Sequence, residues 1–133
     1  MSNWKILYID DSQTELSSVA TALNGAGYEV ITRPGPYDLE EPLASADLVI
    51  IDYHLSGTNG RETLELLRDM LGTRRKLPPR FYLYTSDKEV GADYSSLGFD
   101  GRFIRKGNTD ALRRQLDATM RIEELRRLRA SKR

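Results

Sequence analysis

Short β-rich segments alternate with segments of helical spacing along the whole chain. The third β-rich segment, Leu48–Ile51, is apolar at every position, which is typical of a strand that is buried on both faces of a sheet. Strands that alternate with helices pair in parallel through right-handed crossover connections. The pattern therefore predicts an α/β fold, with a doubly wound five-stranded parallel sheet flanked by five helices. The predicted strands are Lys5–Ile9, Tyr28–Thr32, Leu48–Ile51, Phe81–Thr85 and Arg102–Ile104.

Length and composition narrow the class of protein. A chain of 133 residues that is 39% hydrophobic and 30% charged is typical of one globular domain. No apolar run is long enough to cross a bilayer, and the first residues show no secretory signal, so we expect a cytoplasmic protein without a membrane role. Because the chain has no cysteine, disulfides, thiolate metal sites and a thiol nucleophile are excluded.

Polar side chains mark the helix starts. Ser12, Asn59 and Ser86 each have a glutamate three residues further on, which is the spacing of a capping box. We therefore predict that helices begin just after these three residues.

Polar residues also gather where the predicted strands end. They are Asp10 and Asp11 after the first strand, Asp52 after the third, Thr85 and Ser86 at the fourth, and Lys106 after the fifth. The carboxyl ends of parallel strands lie at one edge of a sheet, where open α/β proteins bind ligands. We expect these side chains to meet there.

Three carboxylates at one place need a counter-charge. Two carboxylates about 4 Å apart repel each other by about 4 kcal/mol at an effective dielectric constant of about 20. Asp10, Asp11 and Asp52 therefore suit a hard divalent cation such as Mg²⁺, which binds carboxylate, carbonyl and phosphate oxygens. Lys106 adds a mobile positive charge for an anion, and the Thr85 hydroxyl can donate a hydrogen bond to it. The predicted site suits a phosphoryl group on Asp52.

In combination these residues resemble a known family. The matching features are the acidic pair Asp10-Asp11, Asp52 with Gly60 eight residues on, the Thr85-Ser86 step and the ending Phe103-Ile104-Arg105-Lys106. The chain resembles the receiver domain of response regulators, the chemotaxis-regulator-like domain of two-component signal transduction, over residues 5 to about 120. The resemblance implies a flavodoxin-like sheet of strand order 2-1-3-4-5 and a receiver domain at residues 1–120.

The resemblance also implies roles for individual residues. Asp52 would be the phosphoacceptor, which takes a phosphoryl group from a histidine kinase or phosphotransfer protein with the help of Thr85 and Lys106. The implied Mg²⁺ ligands are Asp10, Asp11, Asp52 and the backbone carbonyl of His54. The chain would be a signalling domain of a phosphorelay that assists its own phosphorylation and dephosphorylation, and not an enzyme that acts on a separate substrate.

A two-state switch is a further implication of the resemblance. After phosphorylation, Thr85 would move to hydrogen-bond the new oxygens and leave space into which Phe103 can turn. The movement would change the surface that a downstream protein partner or output domain contacts. Phe103 could equally be an ordinary core residue, because half-buried strands favour aromatic side chains.

The sequence departs from the family pattern at two positions. Gly107 follows the lysine where proline is usual, often after a cis peptide bond, and this predicts a rearranged loop after the fifth strand. Ser56 stands where a proline is expected four residues after the acceptor, and this predicts a less rigid entry to the third helix.

The alignment near the fifth strand has two solutions. Arg105 can take the lysine position with Arg102 in the aromatic position, or Lys106 can take it with Phe103. We prefer the second solution because it keeps an aromatic residue three positions before the cation.

Simpler roles are open for several of these residues. An Asp10-Asp11 pair before a helix can serve as a cap alone. The other simple assignments are helix capping for Thr85 and Ser86, packing for Tyr82 and Tyr84, and an exposed loop position for His54, the sole histidine.

The last predicted helix runs beyond what a receiver requires. Its apolar residues step by four as far as Met120 and by three from Ile122 onward, so the apolar stripe drifts around the helix. Residues 121–133 are predicted to be a basic C-terminal extension, since positions 112–133 carry eight Lys or Arg against three Asp or Glu. The extension could form a homodimer, pair with a partner helix, connect to an output domain or be a solvated tail. Without a helix-turn-helix pattern, we do not expect direct nucleic-acid binding.

Two other functions compete with the signalling interpretation. A phosphatase that forms an aspartyl phosphate would want a second carboxylate two residues after its nucleophile, where this chain has His54. A degenerate receiver would act as a phosphorylation-independent protein-binding module, which the residues at positions 56 and 107 make conceivable.

Overall fold

A computed structural model describes residues 4–72 and 77–131 of the chain. In chain order, the described elements are β1 (Lys5–Ile9), α1 (Gln13–Gly25), β2 (Glu29–Arg33), α2 (Glu40–Ser45), β3 (Leu48–Ile51), β4 (His54–Leu55), β5 (Thr58–Asn59), α3 (Gly60–Leu71), β6 (Arg80–Tyr84), α4 (Lys88–Ala92), β7 (Gly101–Phe103) and α5 (Thr109–Ser131). The main sheet is parallel and has the order β2-β1-β3-β6-β7, while β4 and β5 form a separate antiparallel pair.

The main sheet confirms the predicted fold class. Counted along the chain, its five strands lie in the order 2-1-3-4-5. Strands β1 and β3 have the predicted bounds, and each of the other three is shifted by one residue. The short pair β4 and β5 was not predicted. It closes through a tight turn in which Gly57 has φ +75°, a conformation that glycine adopts without steric strain.

Apolar side chains pack on both faces of the main sheet. Alternate residues of β1 point to opposite faces, so Ile6 and Tyr8 pack with α1 and α5, whereas Leu7 and Ile9 pack with α2 and α3. Each fully buried Leu or Ile side chain contributes about 1.5 to 3 kcal/mol relative to an exposed one. Because helices pack against both faces of the same strands, the carboxyl ends of β1, β3 and β6 are fixed at one edge of the sheet.

Two of the three predicted helix caps are confirmed. The side chain of Ser12 accepts a hydrogen bond from the N–H of Glu15 at the start of α1, and Asn59 caps α3 in the same way. The prediction for α4 was wrong by one residue, because Asp87 and not Ser86 is its cap. The Thr85 hydroxyl accepts a hydrogen bond of 3.1 Å from the N–H of Asp87. In the turn that this bond forms, the Asp87 carboxylate can accept hydrogen bonds from N–H groups in the first turn of α4, as it does from Val90.

Helix α5 extends along the molecule past the core and stays attached to it. Beyond the buried Met120, the carboxylate of Glu123 is buried between Arg80, at 3.2 Å, and Arg126, at 2.7 Å. The next turn places the guanidinium of Arg127 4.4 Å from the Trp4 ring centroid. As far as Arg127, the extension is therefore a docked helix and not a solvated tail. No helix among the described residues is long and apolar enough to cross a membrane.

Candidate functional site

Three carboxylates meet at the carboxyl edge of the main sheet. Asp10 and Asp11 follow β1, and Asp52 follows the neighbouring strand β3. One oxygen of each carboxylate lies within 4.8 Å of the others. Asp10 and Asp52 are buried, at 1% and 8% exposed, whereas Asp11 is exposed to solvent. The structure thus brings the three acidic residues selected from the sequence into one cluster.

The ammonium group of Lys106 lies between the two buried carboxylates. Its Nζ is 2.8 Å from Asp10 Oδ2 and 3.4 Å from Asp52 Oδ1. Burial acts to lower the pKa of Lys106, but the hydrogen bond to Asp10 and the charge of Asp52 outweigh burial and raise that pKa above its usual value. Lys106 is therefore positively charged at neutral pH. Arg105, the alternative cation, is exposed and has φ 65°, so it is Lys106 that the loop delivers to the carboxylates.

Asp52 lies in an environment that favours its neutral form. Burial raises its pKa from 3.8 to about 6, the charge of Lys106 opposes this rise, and the charge of Asp10 adds to it. Its Oδ1 also accepts a hydrogen bond of 2.9 Å from the N–H of Tyr53. At pH values above about 6, Asp52 is mainly ionised, as a nucleophilic carboxylate must be.

Asp10 is held by a tyrosine that the sequence analysis did not select. The buried Tyr8 hydroxyl donates a hydrogen bond of 2.5 Å to Asp10 Oδ2, and the N–H of Ser12 donates one of 3.0 Å to Oδ1. Burial and the hydrogen bond to Asp10 raise the pKa of Tyr8, so its hydroxyl keeps its proton. Residues two apart on a strand point to the same face, and this spacing is the signal that could have identified Tyr8.

Tyr84 packs in the core, as predicted, and also binds the loop that carries Lys106. Its hydroxyl accepts a hydrogen bond of 3.1 Å from the N–H of Gly107, and its ring centroid lies 5.3 Å from the Lys106 ammonium. Burial raises the pKa of Tyr84 to about 12. The rings of Tyr8 and Tyr84 are neighbours, with centroids 6.2 Å apart. Two adjacent tyrosines therefore support Asp10 and the lysine loop.

Two side chains from the segment after β3 reach the rim of the site. The Ser56 hydroxyl donates a hydrogen bond of 2.9 Å to Asp11 Oδ2, a contact that the sequence analysis did not anticipate. His54 is exposed, as predicted, and its Nε2 lies 2.9 Å from Asp87 Oδ2. The hydrogen bond from His54 holds the pKa of Asp87 below its usual value. The role of the His54 carbonyl as a metal ligand stays a prediction.

Thr85, which follows β6, and Phe103 of β7 line one cleft. The cleft has a volume of about 470 Å³ and lies between α4 and β7, where Gly91 and Arg102 also line it. Phe103 is buried in the layer of α1 and α5, and its ring stacks on Tyr82 with centroids 4.7 Å apart. Phe103 is thus a core residue in this conformation, with open space on the side of Thr85.

Comparison with solved structures places this geometry among known folds. Neither a protein-family model nor a curated protein matches the sequence. The chemotaxis response regulator CheY4 of Vibrio cholerae matches with a TM-score of 0.68 at 25% identity, covering 88% of this chain and 98% of the other. The response regulator TrrA of Thermotoga maritima, in complex with Mg²⁺ and BeF, matches with a TM-score of 0.69 at 24% identity, covering 86% of this chain and 97% of the other.

A receiver domain protein of Methanospirillum hungatei gives a similar result, with a TM-score of 0.72 at 22% identity over 94% of this chain and 99% of the other. The chain has the receiver-domain fold of response regulators. The match covers nearly the full length of these receivers.

Within the receiver fold, the loop after β7 is built around glycine. Gly107 has φ +94°, whereas the ring of proline fixes φ near about −65°. Proline also has no N–H and could not donate to Tyr84 as Gly107 does. The peptide bonds of the described residues are all trans. At the position where proline is usual, this chain has Gly107, and the N–H of Gly107 donates a hydrogen bond to Tyr84.

Proposed function

We propose that the chain is a phosphoacceptor receiver in which Asp52 takes a phosphoryl group from a histidine kinase or phosphotransfer protein in a Mg²⁺-dependent reaction. The observation that carries the proposal is the position of Lys106, whose ammonium lies 2.8 Å from Asp10 and 3.4 Å from Asp52 inside a cluster of three carboxylates. A buried acceptor beside a fixed cation is suited to hold a dianionic group that the carboxylates alone would repel.

The donor set fits a hard divalent cation. Three carboxylates with oxygens within 4.8 Å of one another offer the oxygen ligands that Mg²⁺ prefers, and the exposed Asp11 leaves the cluster open to solvent. We propose that Asp10, Asp11, Asp52 and the backbone carbonyl of His54 hold the ion. When bound, Mg²⁺ would neutralise part of the negative charge on the phosphoryl oxygens.

The residues of the chain have distinct parts in the transfer. A carboxylate oxygen of Asp52 forms a bond to the phosphorus of a phosphorylated histidine of the donor protein. The bond between that phosphorus and the histidine nitrogen breaks, and its electron pair stays on the nitrogen. The Lys106 ammonium lies where it can neutralise charge on the transferred group. The Thr85 hydroxyl, now accepting the N–H of Asp87, keeps a proton to donate to a phosphoryl oxygen.

We further propose that phosphorylation shifts Thr85 toward Asp52 and lets Phe103 turn into the cleft between α4 and β7. The cleft of about 470 Å³ beside both residues gives the ring somewhere to move. The stacked contact between Phe103 and Tyr82 would be lost in exchange. The altered surface would then be read by a downstream protein partner or output domain.

A direct test is incubation of the full chain with acetyl phosphate and Mg²⁺, followed by intact-mass measurement. We expect one added phosphoryl group per chain, none in the Asp52→Asn variant and none after chelation of Mg²⁺. Continuous release of phosphate with no retained adduct would instead favour a phosphatase that forms an aspartyl phosphate. In Lys106→Gln, the rate of phosphorylation should fall while the fold, followed by circular dichroism, is kept.

A phosphorylation-independent binding module is the second candidate, and one observation favours it. Each acidic residue already has a partner from the protein: Ser56 donates to Asp11, Lys106 pairs with Asp52, and both Tyr8 and Lys106 contact Asp10. A site satisfied in this way needs no ion for its stability. Absence of any adduct at saturating acetyl phosphate and Mg²⁺ would support the module.

We propose residues 1–120 as the receiver domain, with residues 121–133 as a basic extension of the last helix, in a protein of the cytoplasm. In support, the apolar core contacts of α5 end at Met120, and the residues after it that touch the body of the protein are charged, as Glu123 is. The extension is thus attached by ion pairs and an aromatic contact rather than by the core.

A further inference from the structure

The C-terminal half of α5 has two opposite faces with different surroundings. One face carries Glu123, which is buried between Arg80 and Arg126, and Arg127, which stacks on Trp4. Together with the core residues Leu112, Leu116 and Met120, these contacts hold the helix to the body of the protein over about four turns, from Leu112 to Arg127. The opposite face therefore belongs to a rigid, ordered helix and is available to another molecule.

That opposite face combines large apolar side chains with arginines. Ile122, Leu125 and Leu128 are 66%, 57% and 52% exposed. At about 100° per residue, and between positions 114 and 129, they share an arc of about 120° with one alanine and three exposed arginines. We call this arc the outer face of α5, and its residues are Arg114, Ala118, Arg121, Ile122, Leu125, Leu128 and Arg129.

The arginines of the outer face form no direct ion pair among the described residues. Within residues 4–72 and 77–131, no ion pair is formed by Arg114, Arg121 or Arg129, whereas Arg113 and Arg126 on the other faces of α5 are paired. Acidic residues of α5 border this face: Asp110 and Asp117 lie four and three residues from Arg114, and Glu124 lies three residues from Arg121. A molecule that covers the exposed apolar stripe would be favoured if it carried carboxylates that pair with these three guanidinium groups.

A second copy of the chain is a poor occupant for this reason. Two α5 helices that cross antiparallel at Leu125 would bring Arg121 of one copy beside Arg129 of the other. A parallel pair would bring each arginine beside its own equivalent. Like charges at such flanking positions disfavour pairing, and in coiled coils the flanking charges select the partner.

A lipid surface also fits poorly. Interfacial helices present a broad apolar face that carries Trp or Phe, whereas α5 contains no aromatic residue and its exposed apolar stripe has three side chains. A second helix matches better, because knobs from one helix fill the gaps between Ile122, Leu125 and Leu128 on the other.

We propose that the outer face of α5 is a docking site for an acidic amphipathic helix of a partner protein. Apolar side chains of that helix would cover the stripe, and its glutamates or aspartates would pair with Arg114, Arg121 and Arg129. The site is separate from the acidic cluster at the carboxyl edge of the sheet, and the proposal does not rest on phosphorylation of Asp52.

The probe for this proposal is a synthetic helical peptide with leucine at its core positions and glutamate at the flanking positions. Its twin has lysine at the flanking positions, and both are used at concentrations where the peptide alone is monomeric. By fluorescence anisotropy with the full chain, we expect the glutamate peptide to bind at least about tenfold more tightly than the lysine peptide.

Variants of exposed helix residues assign the binding to the outer face. Leu125→Gln and Arg121→Glu should each weaken the glutamate peptide by about tenfold, while Arg61→Glu, the same change on an exposed residue of α3, should change it less than twofold. The double variant Arg121→Glu with Arg129→Glu should reverse the preference and select the lysine peptide. Circular dichroism checks that every variant keeps its fold.

Several results would overturn the proposal. Equal affinity for the two peptides, or no binding of either, would show that the arginines do not select an acidic partner. Concentration-dependent dimerisation in analytical ultracentrifugation that Leu125→Gln abolishes would assign the face to a second copy. Binding to vesicles of phosphatidylcholine and phosphatidylserine, lost in the same variant, would assign it to a membrane.

Discussion

The Tyr84 hydroxyl accepts a hydrogen bond of 3.1 Å from the backbone N–H of Gly107. Tyr84 is the last residue of β6, and Gly107 directly follows Lys106, so this bond ties the lysine loop to the central part of the sheet. The same aromatic ring lies 5.3 Å from the Lys106 ammonium. One buried side chain therefore contacts both the backbone of the lysine loop and the ammonium group that faces Asp52.

Removing this hydroxyl should loosen the lysine loop. In Tyr84→Phe, the N–H of Gly107 loses its partner, and we expect the free energy of unfolding to fall by about 1 kcal/mol. Because Lys106 is then held less firmly, phosphorylation of Asp52 by acetyl phosphate should slow by about threefold or more. Urea unfolding and the initial rate of adduct formation measure the two effects.

The matched control is Tyr37→Phe, which removes a hydroxyl from a tyrosine that is 61% exposed. Its stability should change by less than about 0.5 kcal/mol and its phosphorylation rate should not change. Equal behaviour of the two variants would show that the contact between Tyr84 and Gly107 has no functional weight.

Restoring the residue that is usual in the family should harm this protein. Gly107→Ala keeps the N–H, but alanine is disfavoured in the left-handed backbone conformation of this position. We expect its free energy of unfolding to fall by about 1 to 2 kcal/mol. Gly107→Pro must also change φ from +94° and loses the bond to Tyr84, so the loss of stability should be about 3 kcal/mol or more. Urea unfolding ranks the three proteins. A proline variant as stable as the parent would show that the loop can adopt a second arrangement.

Most of the fold could be predicted because it depends on patterns within short segments. The wholly apolar run Leu48–Ile51 and the alternation of strands with helices specify a parallel sheet, whereas the strand order was implied by the resemblance to receiver domains. Strand ends moved by one residue where polar positions such as Arg33 and Arg80 still pair in the sheet. The pair β4 and β5 escaped prediction since two residues are too few to show a period.

The acidic cluster could be predicted for a similar reason, and its supports could not. Charged residues at the ends of parallel strands meet at one edge, so Asp10 and Asp52 were expected to be close. The hydroxyl contacts of Tyr8 and Ser56 could not be predicted, because they depend on side-chain direction and on a turn. A tyrosine within an apolar strand is most simply interpreted as a packing residue.

The cap of α4 gives a sharp test of a corrected prediction. The Asp87 carboxylate accepts a hydrogen bond of 3.1 Å from the N–H of Val90, so Asp87→Ala should lower the free energy of unfolding and increase amide exchange in α4. Ser86→Ala, at the position favoured by the sequence pattern, should change stability by less than about 0.5 kcal/mol. Hydrogen exchange and urea unfolding compare them. The reverse ranking would restore Ser86 as the cap.

Neutralising Asp52 should stabilise the protein in a pH-dependent manner. Burial raises the pKa of Asp52 from 3.8 to about 6, so the folded state holds this proton more tightly than the unfolded state. Ionisation of Asp52 therefore opposes folding, and the opposition grows between about pH 4 and 6 and is complete above that range. In the presence of a chelator at pH 7.5, Asp52→Asn should be more stable than the parent by about 2 to 3 kcal/mol.

At low pH this advantage should disappear, because Asp52 is then protonated in both states of the parent protein. Urea unfolding of both proteins at several pH values between 3.5 and 7.5 measures the difference directly. If the gain in the free energy of unfolding of Asp52→Asn did not change with pH, burial would not raise the pKa of Asp52. A variant less stable than its parent at pH 7.5 would mean that attraction to Lys106 exceeds the effect of burial, in which case the acceptor would be ionised well below pH 6.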